Sequence, residues 1–237
     1  MDPRFTRTVM LIGEEGLAAL SRASVLVCGL GGVGSYLAEA LARSGIGRIG
    51  LVDYDRVEIT NLNRQLPALT STLGQLKTDV VAERLADINP ALVVEKLPLM
   101  VSQETITEIL AGNWGYVADA IDDVEAKILL IQECLERKIP IISSMGAGNK
   151  LDPTRVQTTD ISKTHGCPLA KVIRRRLRQL GIVSGVKTVF SPEQPLQTKA
   201  PGSTPASMAF VPGTFGLTMA AEITRDLLSG YGQEGKS

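Results

Sequence analysis

Apolar and polar positions between residues 24 and 65 follow the order of a strand, a turn, a helix and a second strand. An apolar run at 25–27 ends in a cluster of glycines, and a second run at 49–52 ends in Asp53. Between the two runs, apolar residues recur at helical spacing from Leu37 to Ala42. The pattern predicts the first unit of an α/β domain with parallel strands.

The glycine cluster provides the groups that a nucleotide phosphate needs. Its residues are Gly29, Gly31, Gly32 and Gly34, followed by Ser35. Glycines let the backbone turn tightly and approach a phosphate, and the N-terminus of the following helix offers unpaired N–H groups to an anion. Asp53 stands 24 positions after Gly29, where an acidic residue hydrogen-bonds ribose hydroxyls. A glycine fingerprint by itself makes NAD or FAD the default ligand.

The polar residues that follow Asp53 do not suit a hydride-transfer site. They are Asp55, Asn61, Asn63, Arg64, Gln65 and Lys77. A nicotinamide pocket does not require cations and paired amides beside the phosphates. A triphosphate does, because its charge must be neutralised while the α-phosphorus is attacked. The set favours ATP, and an NAD-dependent oxidoreductase is the alternative that it argues against.

In this ordered set the chain resembles the ubiquitin-activating-type (ThiF/MoeB/HesA-like) adenylating enzymes, which include molybdopterin- and thiamin-pathway adenylyltransferases. The segments that carry the resemblance are 29–35, 53–55, 61–65, Lys77 and 119–122. Residues 143–155 and 160–164 are similar to the tRNA threonylcarbamoyladenosine dehydratase branch of that superfamily. The resemblance implies a Rossmann-like, doubly wound, mostly parallel α/β sheet with extra strands and helices in a C-terminal extension.

The resemblance also implies a role for each polar residue. Arg64, Lys77, Asp122 and Arg7 would be catalytic, with Asp122 holding Mg²⁺ beside ATP. The nucleotide would be held by Gly29, Gly31, Gly32, Gly34, Ser35, Asp53, Asp55, Asn61, Asn63 and Gln65. One of Asp122 and Asp123 could instead cap the helix predicted to start near Glu125.

Arg7 lies in a charged segment ahead of a helix predicted at 14–21. Read from composition, this segment is a solvated arm. The resemblance implies instead that Arg7 reaches across a homodimer to the ATP phosphates of the partner subunit. The resemblance is also compatible with a bound monovalent cation, and with a sulfur-acceptor or cysteine-desulfurase system as a partner.

The remaining elements follow from shorter patterns along one domain, which we expect to span 1–237. Strands are predicted at 92–97, 116–121, 139–142 and 209–211, and helices at 77–88, 103–110, 125–137, 169–180 and 214–228. The nucleotide-binding core would comprise 24–145 and the substrate-side extension 146–228. A polar stretch at about 192–207 predicts a flexible loop, either a flap or a plain linker, and residues 230–237 a frayed end.

The helix predicted at 169–180 is strongly basic on one face. Its cations are Lys171, Arg174, Arg175, Arg176 and Arg178. Such a run is either a solvated helix face or a contact surface for RNA phosphates. His165 is the only histidine and is interpreted as structural. Cys167 lies before Pro168 and is interpreted as packed, although some family members transfer their acyl group to a cysteine.

Bulk composition adds few constraints. Among 237 residues, Lys plus Arg and Asp plus Glu both number 25, so net charge does not indicate nucleic acid. The three cysteines lie far apart, which predicts neither a disulfide framework nor a zinc site and fits the cytoplasm. No signal peptide is visible, and the best membrane-span candidate, 208–221, is broken by Pro212.

Together these features predict an ATP-dependent enzyme that adenylates the carboxylate of threonylcarbamoyladenosine in tRNA and cyclises it with release of AMP. The alternative activity is adenylation of the C-terminal glycine of a ubiquitin-like sulfur carrier protein. Such enzymes often carry two C-x-x-C pairs, which this chain lacks. A non-catalytic scaffold on the same fold would need no phosphate clamp.

Overall fold

The computed structural model describes residues 2–197 and 205–234, with side chains described as far as residue 229. The strands are β1 Ser24–Cys28, β2 Arg48–Val52, β3 Val93–Leu97, β4 Tyr116–Asp119, β5 Ile141–Ser144, β6 Gln157–Asp160 and β7 Lys187–Phe190. The helices are α1 Thr6–Arg22, α2 Gly34–Ser44, α3 Lys77–Ile88, α4 Ile106–Leu110, α5 Val124–Glu136, α6 Pro168–Gln179 and α7 Phe210–Glu234.

Within the described residues, the strands form a seven-stranded sheet in the order β3-β2-β1-β4-β5-β7-β6. All neighbouring pairs are parallel except β6 and β7, which pair antiparallel at the edge. Strand order reverses next to β1, so the carboxyl ends of β1, β2, β4 and β5 meet at one edge, where α/β sheets bind ligands. The predicted Rossmann-like, doubly wound fold is confirmed.

Helices cover both faces of the sheet. On one face Leu41 of α2 and Phe215 of α7 pack in a cluster with Val27 of β1. On the other, Leu130 of α5 and Ile173 of α6 pack with further strand residues. All five of these side chains are inaccessible to solvent. Burial of both faces explains why the parallel strands read as continuous apolar runs.

The unit predicted between residues 24 and 65 is confirmed, and both of its strands begin and end within one residue of the predicted apolar runs. β1, α2 and β2 follow each other in the predicted order. Gly45 ends α2 in the left-handed conformation (φ 94°), and its N–H bonds to carbonyls of the last turn. The short connection brings β2 beside β1 in parallel register.

The N-terminal segment is more helical than the sequence predicts. α1 begins at Thr6 rather than near residue 14. Gly13 interrupts it with φ 76° and ψ 170°, which separates the helical residues 6–12 from the predicted helix. Arg7 therefore lies on a helical turn and not on an extended arm.

The strand predicted at 209–211 is wrong, because α7 begins at Phe210. Pro212 stands in the first turn of this helix, where the missing N–H would have no intrahelical partner. Gly216 lets α7 lie against α2, since a Cβ there would stand 2.3 Å from the carbonyl oxygen of Val33. The helix also continues to Glu234, into the end predicted to be frayed.

The bounds of β6 and β7 are not predicted, although extra strands in the extension are. β6 is an edge strand, and its four residues include no apolar side chain. Residues 192–197 and 205–208 have no regular secondary structure, and the rest of the predicted flexible loop lies outside the described residues. Among the described residues, no helix is both long and apolar enough to cross a membrane.

Candidate active site

A cleft of about 1350 Å³ opens at the carboxyl ends of the parallel strands. Ten of the predicted site residues line it: Gly29, Gly31, Gly32, Asp53, Asp55, Asn61, Arg64, Gln65, Lys77 and Asp122. Their elements are the glycine turn after β1, the ends of β2 and β4, the 55–69 loop and the start of α3. The fold therefore gathers residues from five sequence segments into one site.

The glycine turn is shaped by two close backbone approaches. Gly29 has φ 88°, and a Cβ there would stand 2.8 Å from the carbonyl oxygen of Ala120. A Cβ on Gly34 would stand 1.7 Å from the carbonyl oxygen of Gly29. Among the described residues, no acceptor bonds the N–H groups of residues 31–34, which stand at the N-terminus of α2. These free donors suit a phosphate.

Gly34 and Ser35 shape the turn from beneath and do not line the cleft. The Ser35 hydroxyl donates to the carbonyl oxygen of Gly31 at 2.7 Å and accepts from the N–H of Leu66 at 3.2 Å. The side chain thus ties the glycine turn to the 55–69 loop.

Asp53 is buried at the end of β2. One carboxylate oxygen accepts from the N–H of Leu30 at 2.6 Å and the other from the N–H of Asp55 at 2.8 Å. Burial raises the pKa of Asp53 above its usual value, although Lys77 and these two hydrogen bonds oppose the shift. Each oxygen keeps a further acceptor position, so the carboxylate can still receive a ribose hydroxyl.

Lys77 opens α3, as predicted, and is almost fully buried. Its Nζ lies 2.8 Å from a carboxylate oxygen of Asp55, and the two side chains are 6% and 48% exposed. A cation at a helix N-terminus opposes the helix dipole. The carboxylate partner, and in the cleft an anionic ligand, would offset that cost.

The 55–69 loop presents the remaining polar groups. Arg64 donates from Nη1 to the carbonyl oxygen of Thr60 at 2.8 Å, which holds the guanidinium beside the cleft. Asn61 is buried, and its side-chain oxygen accepts from the N–H of Glu58. Gln65 is buried with no described partner for its Oε1. Asn63 does not line the cleft and instead donates to the carbonyl oxygen of Ser207.

The two acidic residues after β4 divide their roles. Asp123 caps α5 by accepting from the N–H of Ala126 at 2.8 Å. Asp122 is exposed at the cleft, and no described donor or cation lies within bonding distance of its carboxylate. Asp55, with burial and the further carboxylates Asp122, Asp53 and Asp123, raises the pKa of Tyr54. This side of the cleft is therefore electronegative.

Sequence analysis missed a buried ion pair beneath the cleft. Lys127 of α5 donates from Nζ to a carboxylate oxygen of Asp119 at 2.7 Å, and both side chains are 0% exposed. Ser143 donates to the same carboxylate at 2.6 Å, and the carbonyl oxygen of Ser144 accepts from Lys127. The available signal was a lysine within an otherwise apolar helix face.

The far wall of the cleft, beside β5 and β7, carries two further functional groups. Lys150 is buried and donates to the carbonyl oxygen of Ser191 at 2.7 Å. Burial lowers the pKa of Lys150 below its usual value, against the effect of Cys167 and Glu193. Cys167 is buried as predicted, with Sγ facing the carbonyl oxygen of Gly146.

His165 and Arg7 are not brought into the cleft. His165 is exposed and packs edge-on against the ring of Phe190, with ring centroids 5.4 Å apart. This contact agrees with the structural interpretation. Arg7 is exposed on α1 and does not line the cleft of its own chain.

The basic helix is α6, which forms one side of the cleft mouth. Lys171, Arg175 and Arg178 are exposed, and no described carboxylate lies within ion-pair distance of them. Arg174 donates to the carbonyl and hydroxyl oxygens of Thr164. Leu180, just after the last residue of the helix, is 50% exposed.

A doubly wound sheet, a glycine turn with free N–H groups, and two cations at the phosphate side define a nucleotide-binding enzyme of the adenylating class. The chain belongs to the ThiF family, whose model matches residues 5–236. It is 49% identical to the tRNA threonylcarbamoyladenosine dehydratase of Bacillus subtilis strain 168, over 95% of this chain and 94% of that protein.

The solved structures agree with the sequence comparison. The Escherichia coli tRNA N6-threonylcarbamoyladenosine dehydratase in complex with AMP superposes with a TM-score of 0.93 and 38% identity, over 97% of this chain and 96% of that one. Its complex with ATP gives a TM-score of 0.92. The adenylyltransferase and sulfurtransferase MOCS3 of Culex quinquefasciatus is 39% identical, but over 59% of this chain and 32% of its own length.

Proposed function

We propose that this protein is an ATP-dependent tRNA threonylcarbamoyladenosine dehydratase. The observation that carries the proposal is full-length similarity to dehydratases, combined with a cleft that presents phosphate donors and cations from separate segments. The enzyme adenylates the carboxylate of threonylcarbamoyladenosine in tRNA and cyclises it with release of AMP. Its proposed substrate is a tRNA, and we propose a cytoplasmic location for the enzyme.

In the first step, a carboxylate oxygen of the substrate attacks the α-phosphorus of ATP and pyrophosphate leaves. The N–H groups of residues 31–34 hold the phosphates, and Asp53 accepts from the ribose. Arg64 and Lys77 neutralise the negative charge that grows on the phosphate oxygens, where preorganised cations are most effective. The product is an acyl adenylate, whose carbonyl carbon is a far better electrophile than a carboxylate.

Lys77 is held ready for this role by Asp55. The ion pair fixes the position of the Lys77 ammonium group, whose side chain is 6% exposed, while Asp55 remains half-exposed to solvent. A phosphate oxygen can therefore join or replace the Asp55 carboxylate without moving the lysine. The burial of Lys77 strengthens its interaction with that oxygen.

Mg²⁺ belongs to the same proposal, with Asp122 as its protein ligand. Mg²⁺ is commonly bound by one or two carboxylates together with substrate phosphates. No group of three metal-binding side chains exists among the described residues, and the free Asp122 carboxylate fits this phosphate-dependent mode. The cation supplies further neutralisation of the phosphates when it is bound.

In the second step, an internal nitrogen or oxygen of the threonylcarbamoyl group attacks the activated carbonyl carbon, and AMP leaves. Attack within one molecule needs no protein nucleophile, because proximity supplies much of the rate. The chain contributes by holding the group in a cleft whose far wall, around Gly146 and Gly148, consists of small residues. The buried Cys167 thiol is not used.

The exposed face of α6 would receive the tRNA. Lys171, Arg175 and Arg178 have no described carboxylate partners, although the whole chain is electrically neutral. A local basic surface beside the cleft suits the phosphate backbone. Three exposed cations at this position favour RNA over a protein substrate.

A homodimer would complete the site. Arg7 lies outside its own cleft, and the neighbouring α1 residues Met10 and Leu11 are 82% and 85% exposed. Adjacent, strongly exposed apolar side chains are typical of an interaction surface. We propose that α1 packs on a second copy and places Arg7 beside the phosphates of the partner subunit.

Sulfur-carrier activation is the second candidate, because MOCS3 proteins share part of this sequence. Labelled pyrophosphate exchange into ATP separates the candidates. We expect exchange with threonylcarbamoyl-modified tRNA and none with a carrier protein that ends in Gly-Gly. Exchange only with the carrier would replace the proposal, and tight ATP binding without exchange would favour a scaffold.

The Lys77→Met variant tests the proposal that Arg64 and Lys77 neutralise the ATP phosphates. It should lower exchange by about 100-fold or more, as loss of a preorganised donor does. Lys96→Met is the control, because Lys96 is 52% exposed and pairs with Asp79 outside the cleft. Equal activity of the two variants would contradict the role of Lys77.

A further inference from the structure

An ion pair crosses the mouth of the cleft between α5 and α6. Arg176 donates from Nη1 and Nη2 to the two carboxylate oxygens of Glu125, at 2.6 and 2.7 Å. The residues stand 51 positions apart in the chain, and both line the cleft. Glu125 belongs to the first turn of α5, two positions after Asp123 of the acidic pair Asp122 and Asp123.

This pair contributes little to folding. The Arg176 side chain is 39% exposed and that of Glu125 is 68% exposed. Exposed ion pairs stabilise proteins only slightly. The planar guanidinium binds a phosphate in the same two-point manner as a carboxylate. An RNA phosphate could therefore replace Glu125 at small cost.

The pair also lies at a boundary between two charged surfaces. On one side is the basic face of α6, with Lys171, Arg175 and Arg178 exposed. On the other side is the acidic edge of the cleft at Asp122. A tRNA docked on α6 must come closest to the cleft at this boundary, and there Glu125 repels it.

We propose that Glu125 masks Arg176 in the RNA-free enzyme, and that an RNA phosphate displaces the Glu125 carboxylate when the modified nucleotide enters the cleft. The proposal rests on the dehydratase function and names a residue that positions its substrate. No covalent bond changes. One carboxylate is released to solvent as one phosphate is bound. RNA that does not reach the cleft leaves the Glu125–Arg176 pair intact, so it gains no contact with Arg176 and binds more weakly.

The Glu125→Gln variant tests the mask. It should bind tRNA about two- to fivefold more tightly, the ratio that corresponds to an ion pair of roughly 0.5–1 kcal/mol. Arg176→Ala should weaken tRNA binding. The plot of log affinity against log salt concentration should also become less steep, by about the amount that one phosphate contact contributes. The dissociation constants are measured with modified and unmodified tRNA at several salt concentrations.

Glu133→Gln is the matched control. Glu133 lies on the same helix, pairs with Arg137 at 2.9 Å and does not line the cleft. It makes the same change in net charge, and its affinity for tRNA should equal that of the wild type. Thermal midpoints of all variants verify that each is folded.

Two results would overturn the mask: equal tRNA affinities for Glu125→Gln and Glu133→Gln, or wild-type affinity for Arg176→Ala. If the wild type still shows exchange with modified tRNA, the mask alone fails and the dehydratase function stands. A wild type that neither binds tRNA nor shows this exchange would overturn both.

Discussion

At the residue scale, charged side chains are buried in and beneath the cleft. Lys127 and Asp119 are completely buried, and each is satisfied by the other and by groups at the end of β5. Lys77 is nearly as buried but has a half-exposed partner. The first pair is closed to ligands, whereas the second opens on the cleft. A buried charge can therefore meet a ligand only where, as at Lys77, its pair also lines the cleft.

The buried pair leads to a stability prediction. Lys127→Met should lower the free energy of unfolding by about 3–5 kcal/mol, because it leaves the Asp119 carboxylate buried without a cation. Urea unfolding measures the loss. Adding Asp119→Leu should recover most of it, since no unpaired charge then remains.

Lys96→Met is again the control: Lys96 and its partner Asp79 are both exposed, so the unfolding free energy should change little. If Lys127→Met unfolds at the same urea concentration as this control, the pair does not stabilise the strand ends.

At the element scale, the glycine turn combines two requirements that point in opposite directions. Gly34 faces the protein, where a Cβ would collide with the carbonyl oxygen of Gly29. Gly31 lines the cleft, and the nearest atom to a Cβ there is Nε2 of Gln65 at 3.7 Å. The same residue type thus serves packing at one position and ligand access at the other.

Alanine at these two positions should separate the effects. Gly31→Ala should keep the unfolding free energy within about 1 kcal/mol, yet weaken ATP binding about tenfold or more, since the methyl group stands where the phosphate approaches. Gly34→Ala should lower both stability and binding. Calorimetric titration with ATP and urea unfolding provide the measurements. Unchanged ATP affinity in Gly31→Ala would move the phosphate site away from the turn.

Contacts between helices predict a pH effect. Glu39 of α2 accepts hydrogen bonds from Arg84 of α3 at 2.5 Å and from Arg43 at 2.8 Å. Burial raises the pKa of Glu39, but the hydrogen bonds and charges of the two arginines outweigh it, so the pKa lies below its usual 4.5. The ionised Glu39 carboxylate and its two arginine partners therefore stabilise the fold above pH 4.5. This contribution is lost as the pH falls through the lowered pKa of Glu39.

Glu39→Gln should accordingly flatten the decline in unfolding free energy below pH 4.5. Arg84→Gln should have a similar effect, because it removes the main partner. Urea unfolding at a series of pH values measures the slope. A variant that declines as steeply as the wild type would show that other carboxylates govern acid unfolding.

At the scale of the whole molecule, the dimer hypothesis makes the proposed enzyme incomplete as a single chain. One wall of the cleft has Arg64 and Lys77, while Arg7 is exposed on α1 beside two strongly exposed apolar residues. In a two-fold dimer each subunit can give its α1 to the site of the other. The dimer and the contribution of Arg7 are parts of the same hypothesis.

Mixing inactive variants tests this arrangement. Arg7→Ala and Lys77→Met should each be inactive alone, but a mixed dimer has one intact site, with Lys77 from one chain and Arg7 from the other. An equal mixture should regain about one quarter of wild-type activity, since half the dimers are mixed and each has one working site. Pyrophosphate exchange with modified tRNA is the assay. A mixture no more active than its components would place Arg7 outside the partner's site.

The amino-acid sequence determined the elements that depend on nearby residues. Apolar runs located β1 and β2 within one residue, and helical spacing placed α2 between them. Turn and loop residues indicated the edge of the sheet at which the cleft lies. The polar cleft residues could also be predicted, because the ends of consecutive parallel strands meet at one edge whatever the details of packing.

The tertiary structure alone decided the contacts between distant segments. Lys127 meets Asp119 across two elements, and Lys150 meets Ser191 at a separation of 41 residues. Ser35 points into the fold, and the exposed Asn63 bonds to Ser207; neither side chain lines the cleft, because of neighbours that no local pattern encodes. Periodicity reports which face of an element is buried, but the partner on that face depends on how the chain folds back on itself.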